Sequence, residues 1–302
     1  MIFVTQGYEK GATLPLFLRA CSCFNSEILE NFTIILDKQS LRECGNIRIE
    51  NDYLIGESIK IPAITYSRMS SITPSQASLE IALELINKDD FLLTLPTNKN
   101  QLTIKKKPVG GYTEFLRQYF GLNNLAMTFR SPTMQMLLVS DHISLSYASK
   151  LSTNDFVNRT TMALESRYFS INRILFLGIN PHAGESGILG NDETIIGRAI
   201  DKLKKRYPKY SFEGPIPADS ILIKESDYER TLIVSPYHDQ GLSLFKSKNG
   251  IIGANITLGM PFIRYSVDHG TAPGKELDSL NYTGHHFLIN LILKDWVRSY
   301  GK

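Results

Sequence analysis

Ile174-Leu-Phe-Leu-Gly-Ile-Asn-Pro-His-Ala-Gly-Glu185 carries four apolar residues straight into a turn bearing an imidazole, His182, and a carboxylate, Glu185. An apolar run of this length, closed by Gly, Asn and Pro, predicts a buried strand over Ile174 to Gly178. Open α/β sheets place their chemistry where strands deliver polar side chains at their carboxyl ends. The pattern recurs in Met134-Gln-Met-Leu-Leu-Val-Ser-Asp-His142 and in Leu232-Ile-Val-Ser-Pro-Tyr-His-Asp239. The chain has six histidines, and three in one setting point to a converging site.

Around these segments, strand-like and helix-like stretches alternate, which predicts a largely parallel sheet flanked by helices. Strands are expected at Ile2 to Thr5, Phe32 to Leu36, Ile59 to Thr65, Phe91 to Leu95, Ala126 to Phe129, Met134 to Val139 and Leu232 to Ser235. Helices are expected at Leu14 to Phe24, Ser75 to Ile86, Thr113 to Phe120, Asn154 to Tyr168, Glu193 to Lys205 and His286 to Val297, with Asp192 as a helix cap. Lys105-Lys106-Lys107 reads as a solvated loop able to draw in a phosphate. A G-x-G-x-x-G turn after the first strand and a Walker G-x-x-x-x-G-K-S/T pattern are both absent. A dinucleotide would therefore bind without the usual glycine-rich turn.

A length of 302 residues with 42% hydrophobic content can fill two packed lobes. The balance of 33 basic against 30 acidic side chains, net +3, is too mild to point to nucleic acid, while small anionic substrates fit it. The chain opens on Met1-Ile-Phe-Val4 without a signal core, and no apolar run reaches about 18 residues, so a soluble cytoplasmic protein with no membrane partner is expected. Cys21, Cys23 and Cys44 read as reduced thiols, the first two as small buried helix residues.

Three neutral imidazoles suit a divalent cation with a coordination position left open for substrate. Asp141, Glu185 and Asp239 could orient the rings or enlarge the ligand set. Taken alone, such a site fits a hydrolase as well as an oxidoreductase.

Further blocks make a resemblance specific. Asn180-Pro-His-Ala-Gly-Glu185, Gly214-Pro-Ile-Pro-Ala-Asp219, Tyr237-His-Asp-Gln-Gly-Leu242, Asn255-Ile-Thr-Leu-Gly with Pro261-Phe-Ile-Arg264, and Val267-Asp-His-Gly-Thr-Ala272 resemble, in the same order, the 4-hydroxythreonine-4-phosphate dehydrogenases of pyridoxal phosphate biosynthesis. Thr94-Leu-Pro-Thr-Asn-Lys99, Gly111-Tyr-Thr-Glu-Phe115 and the His142 segment extend the likeness more weakly. The resemblance implies a two-lobed α/β/α fold like that of isopropylmalate dehydrogenases, with an active-site cleft between lobes and a homodimer that shares its active sites. It implies a divalent metal (zinc, magnesium or cobalt) on His142, His182 and His238, and substrate contacts from Tyr112, Thr113, Lys246, Asn255 and Arg264. Asp219, Asp239 and Lys99 are the candidates for moving protons or stabilising an anion. His269, Gly270, Thr271 and Ala272 resemble an adenosine-binding loop for NAD or NADP. The implied reaction oxidises the C3 hydroxyl of 4-phosphohydroxy-L-threonine, and the keto acid then loses carbon dioxide to give 3-amino-2-oxopropyl phosphate. The expected division is an outer lobe over 1–108 plus 239–302 with the nucleotide rim, and a central lobe over 109–238 with the metal ligands and dimer contacts.

Three departures from that pattern bear on substrate and cofactor. Tyr112 stands where the family has an imidazole, and a phenol carries no positive charge near pH 7. The family's glycine-rich N-terminal turn is reduced to Gly7-Tyr-Glu-Lys-Gly-Ala-Thr-Leu-Pro15, and Pro273-Gly-Lys-Glu-Leu-Asp-Ser279 replaces an Ala-Gly-Lys-Gly segment. Two alternatives therefore stay open: a dehydrogenase for another phosphorylated hydroxy acid, such as threonate or erythronate 4-phosphate, and a non-catalytic ligand-binding homologue.

Overall fold

Ile2, Phe3, Val4 and Thr5 are all buried, and as β1 (Ile2–Thr5) they run parallel to a neighbour on each side, Ile2 lying opposite both Phe32 and Phe91. A strand covered on both faces has to be apolar throughout, which is why it shows no alternation. The computed structural model describes residues 1–68, 71–148, 150–221, 229–272 and 280–300. The chain divides into two units, Met1–Asn123 with Met260–Lys302, and Asn124–Gly259.

In the first unit, β1 is followed by α1 (Thr13–Cys21), α2 (Ser26–Leu29), β2 (Phe32–Asp37), β3 (Arg48–Glu50), β4 (Tyr53–Ile55), β5 (Lys60–Tyr66), α3 (Pro74–Leu85) and β6 (Phe91–Thr94). The hairpin β7 (Thr103–Ile104) and β8 (Lys107–Pro108) and the helix α4 (Tyr112–Phe120) come next, and the chain later returns as β15 (Ile263–Val267) and α9 (Thr283–Tyr300). Strand order is β15-β6-β1-β2-β5-β4-β3, parallel from β15 to β5 and antiparallel beyond. Thr73 caps α3 through the Gln76 amide, and Pro74 occupies the position where its missing N–H costs nothing. Lys105 and Lys106 take positive φ at the tip of the hairpin, so the basic run is an exposed turn.

The second unit contains β9 (Ala126–Arg130), β10 (Gln135–Leu138), α5 (Leu145–Ala148), α6 (Thr153–Glu165), β11 (Arg173–Leu177), α7 (Thr194–Arg206), β12 (Ser211–Ile216), β13 (Thr231–Ser235), α8 (His238–Asn249) and β14 (Ala254–Leu258). Strand order is β12-β11-β13-β10-β9-β14. The first four run parallel and β9 is antiparallel to both its neighbours. Ser152 and Asp155 form a reciprocal capping box at the start of α6.

This is the α/β architecture with a large parallel sheet that the alternation predicts. Several details differ. Asp192 does not cap α7, because its carboxylate accepts from the Asn180 side chain and the N-cap position falls on Glu193. Cys21 is buried, but Cys23 lies beyond the end of α1 and is exposed. Tyr112, Phe115 and Leu116 are buried with Phe3, Ile35 and Leu79. Each such side chain contributes about 1.5–3 kcal/mol, which holds α4 in the first unit. Among the described residues no helix is long and apolar enough to cross a membrane.

Candidate active site

Because β11, β13 and β10 are adjacent and parallel, their carboxyl ends share one edge of the second unit. His182 follows β11, His238 opens α8 after β13, and His142 follows β10. The rings of His142 and His238 approach with centroids 5.3 Å apart. His238 Nδ1 lies 2.7 Å from Asp239 Oδ1. In the tautomer with its proton on Nδ1, His238 donates to Asp239 and offers the Nε2 lone pair to a ligand. Gln240, in the first turn of α8, donates to the Gly178 carbonyl at 2.8 Å and so ties this helix to the end of β11. Asp219 is exposed on the short turn Ala218–Ser220 after β12, at the same edge.

His182 sits on a different kind of backbone. His182, Ala183, Gly184, Glu185 and Ser186 have φ of 51°, 52°, 79°, 44° and 58°. Each non-glycine residue there costs roughly 1–2 kcal/mol, so the turn persists only because its surroundings impose it. Among the described residues no group of three or more His, Cys, Asp and Glu side chains assembles to hold a metal ion. The structure thus brings His142 and His238 together and leaves the expected third ligand out of the group.

Lys246 and Asn255 lie elsewhere in the same unit. Lys246 is exposed eight residues into α8, roughly 12 Å back along the helix from His238. Asn255 sits opposite Phe129, which faces Met136 near the start of β10. That is roughly 15–20 Å along the strand direction from the His142 turn. Asn255 Oδ1 is buried without a hydrogen-bond partner, an arrangement that costs about 1–3 kcal/mol unless a ligand donates to it.

In the first unit, Arg264 on β15 is buried and its Nε donates to Thr94 Oγ1 at 2.9 Å. Its guanidinium lies 5.1 Å from the centre of the Tyr112 ring. Burial lowers its pKa to about 10, which still leaves it charged at neutral pH. Tyr112 is itself buried and donates its hydroxyl proton to the Leu95 carbonyl at 3.0 Å. Burial pushes that phenol up to about 12, against the opposing pull of Thr5, Arg264 and Thr97. Thr113 is buried in the first turn of α4, and Lys99 is exposed on the turn Lys99–Gln101.

His269 to Ala272 follow β15. The Thr271 carbonyl accepts from the Ala12 amide at 3.1 Å, and Thr271 Oγ1 donates to Asn98 Oδ1 at 3.0 Å. A Cβ on Gly11 would come within 2.8 Å of the Thr271 carbonyl. The reduced N-terminal turn therefore keeps a glycine where it touches the His-Gly-Thr-Ala loop. The altered segment 273–279 lies outside the described residues.

Sequence reasoning missed two residues. His285 is fully buried on α9, packs edge-on to His269 at 5.0 Å, and has no hydrogen-bond partner on either ring nitrogen. Burial, and secondarily His269, lowers its pKa to about 3, so it is neutral. In the sequence, Glu193 marks only the beginning of α7. Its carboxylate accepts from the amides of Ile179 and Asn180 at 2.9 and 2.6 Å and from the Asn180 side chain at 3.0 Å. The acidic pair Asp192-Glu193, placed to satisfy the polar Asn180 after a buried strand, was the available signal.

The parallel sheet with imidazoles gathered at a strand-end edge defines an α/β protein of the class that works through loops following its strands. A family model described as pyridoxal phosphate biosynthetic protein PdxA matches residues 28–275, and the chain belongs to that family. It is 35% identical over 193 residues to 4-hydroxythreonine-4-phosphate dehydrogenase of Shewanella frigidimarina, covering 62% of this chain and 58% of that protein. It is 36% identical over 198 residues to D-threonate 4-phosphate dehydrogenase of Cupriavidus necator, covering 64% and 59%. The chain thus spans under two thirds of the length of these curated relatives. The crystal structure of a 4-hydroxythreonine-4-phosphate dehydrogenase from Burkholderia phymatum shares the fold, with a TM-score of 0.70 at 23% identity over 99% of this chain and 97% of that one.

Proposed function

We propose that the chain is a metal-dependent, NAD(P)-linked dehydrogenase in pyridoxine biosynthesis. It oxidises 4-phosphohydroxy-L-threonine, and the resulting keto acid decarboxylates to 3-amino-2-oxopropyl phosphate. The observation that carries the reading is the His142–His238 pair at the strand-end edge, with His238 Nε2 left available by Asp239. These donors fit a divalent cation such as zinc or cobalt, and His182, on the same edge, is the proposed third ligand. When bound, the cation supplies Lewis acidity to the substrate's hydroxyl and ketone oxygens, and NAD(P) supplies the hydride acceptor.

The chain's own residues do the rest. Arg264 presents a planar cationic fork suited to phosphate or carboxylate, and Lys246 a point charge. Asn255 Oδ1 gains the donor it lacks when a substrate hydroxyl or ammonium arrives. Asp219 and Asp239, exposed near the histidines, and Lys99 exchange protons with water. Thr113 lines the start of α4. Tyr112 serves substrate through Arg264, since its hydroxyl proton is already given to Leu95. His269, Gly270, Thr271 and Ala272 take the adenosine end of the nucleotide.

Lys246 and Asn255 stand well back from the histidines of their own unit, so the complete site draws on a second copy of the chain. Clusters of exposed apolar side chains follow two of the three histidines: Ile143, Leu145 and Tyr147 after His142 are 48%, 65% and 64% exposed, and Ile188 and Leu189 after His182 are 79% and 44% exposed. Such patches mark interfaces, which supports a homodimer. The proposed setting is the reducing cytoplasm, a reading that the three free cysteines support. A second reading, oxidation of D-threonate 4-phosphate, is favoured by the near-equal identity to the Cupriavidus necator enzyme and by the buried Tyr112 in place of a cation. Following NADH or NADPH formation with each of the two substrates separates the readings, and a dehydrogenase of neither kind forms none.

A further inference from the structure

We infer that Glu193 is a positioning residue for His182, holding the left-handed turn that presents it. This rests on the reading of His182 as a ligand. The buried carboxylate of Glu193, 9% exposed, takes both backbone amides that emerge from β11, at Ile179 and Asn180, on one oxygen and the Asn180 side chain on the other. These amides would otherwise be donors with no strand partner, since β11 ends at Leu177.

The same carboxylate shapes the turn that follows. A Cβ on Gly184 would lie 2.6 Å from Glu193 Oε2, so the middle of the left-handed run is packed against it. The Asn180 carbonyl in turn accepts from the Ala183 amide at 3.1 Å, which fixes His182 between two tethered residues. Asp192 holds the second proton of the Asn180 side chain at 2.8 Å. One acidic pair at the start of α7 thereby anchors a five-residue backbone that no local preference would choose. Side chains that orient metal ligands in this way typically change metal affinity about 10–100-fold when removed.

The test uses the full-length protein, cobalt(II) as the probe, and hydrogen exchange at single amides. Glu193→Ala is expected to unprotect the Ile179 and Asn180 amides and to weaken cobalt binding about tenfold or more. Glu193→Gln keeps an acceptor oxygen for those amides and is expected to restore protection and most of the affinity. In a His182→Ala background, Glu193→Ala should weaken cobalt binding no further, because the residue acts only through His182. Equal weakening in both backgrounds, or protected amides and unchanged cobalt binding in Glu193→Ala, overturns the inference. If the unmutated protein binds no cobalt, the metal reading of His182 fails, and retained amide protection in Glu193→Ala would then sink the positioning role as well.

Discussion

Tyr112 is expected to contact substrate, and the structure shows what its side chain does within the chain. The phenol lies under the Arg264 guanidinium and its proton is committed to the Leu95 carbonyl. Tyr112→Phe should therefore lower folding stability by about 0.5–1.5 kcal/mol, the cost of one neutral hydrogen bond, with kcat/KM unchanged. Tyr112→Ala should lose about 3–5 kcal/mol by emptying the core. Urea unfolding with parallel kinetics checks both, and a large kcat/KM loss in the Phe variant would return Tyr112 to direct substrate contact. His285 makes a second prediction at this scale. Its folded pKa, about 3, is below the value of about 6.5 for an unfolded imidazole. The unfolded chain binds the extra proton between those values, so the stabilisation is complete above about pH 6.5 and falls with pH by up to about 1.4 kcal/mol per unit. His285→Leu should flatten this slope in denaturation curves from pH 7 to 4, and an unchanged slope would contradict a buried neutral ring.

Among the elements, the junction of β13 and α8 concentrates most of the proposed chemistry. Asp239→Asn removes the carboxylate paired with His238 Nδ1. Cobalt affinity should fall about 10–100-fold while helix content by circular dichroism stays the same, and equal affinity would mean the pair is incidental. The strand half of this junction was legible because Leu232-Ile-Val234 is an unbroken apolar run closed by Ser235 and Pro236. Six of the seven helices of nine or more residues among the described residues were legible by periodicity, although α6 stops at Glu165 and leaves Tyr168 outside, whereas α8 was not expected. Other elements were hidden for physical reasons. β12 contains Gly214-Pro215, which reads as a turn. β3 and β4 have three residues each, too few to show a period. The left-handed turn at His182 was invisible because its conformation is imposed by Glu193 across the sequence, and local preference opposes it.

For the whole molecule, the family came from blocks of motif spread along the chain, whereas the distribution of site residues came only from strand register. Register separates Asn255 from His142 within one unit, and no spacing in the sequence reveals that. If a second chain completes the site, Leu145→Glu combined with Ile188→Glu, both at exposed positions, should yield a folded monomer without activity. Light scattering and circular dichroism would show this, and an active monomer would overturn the shared site. The central claim is metal-dependent oxidation of a phosphorylated hydroxy acid by these histidines. Its most direct measurement is NADH or NADPH formation from 4-phosphohydroxy-L-threonine by metal-loaded protein, chelator-treated protein and the His238→Ala variant. Reduced cofactor appearing with the loaded protein, and lost in the other two, is the predicted result; turnover undiminished by chelation and by His238→Ala would contradict it.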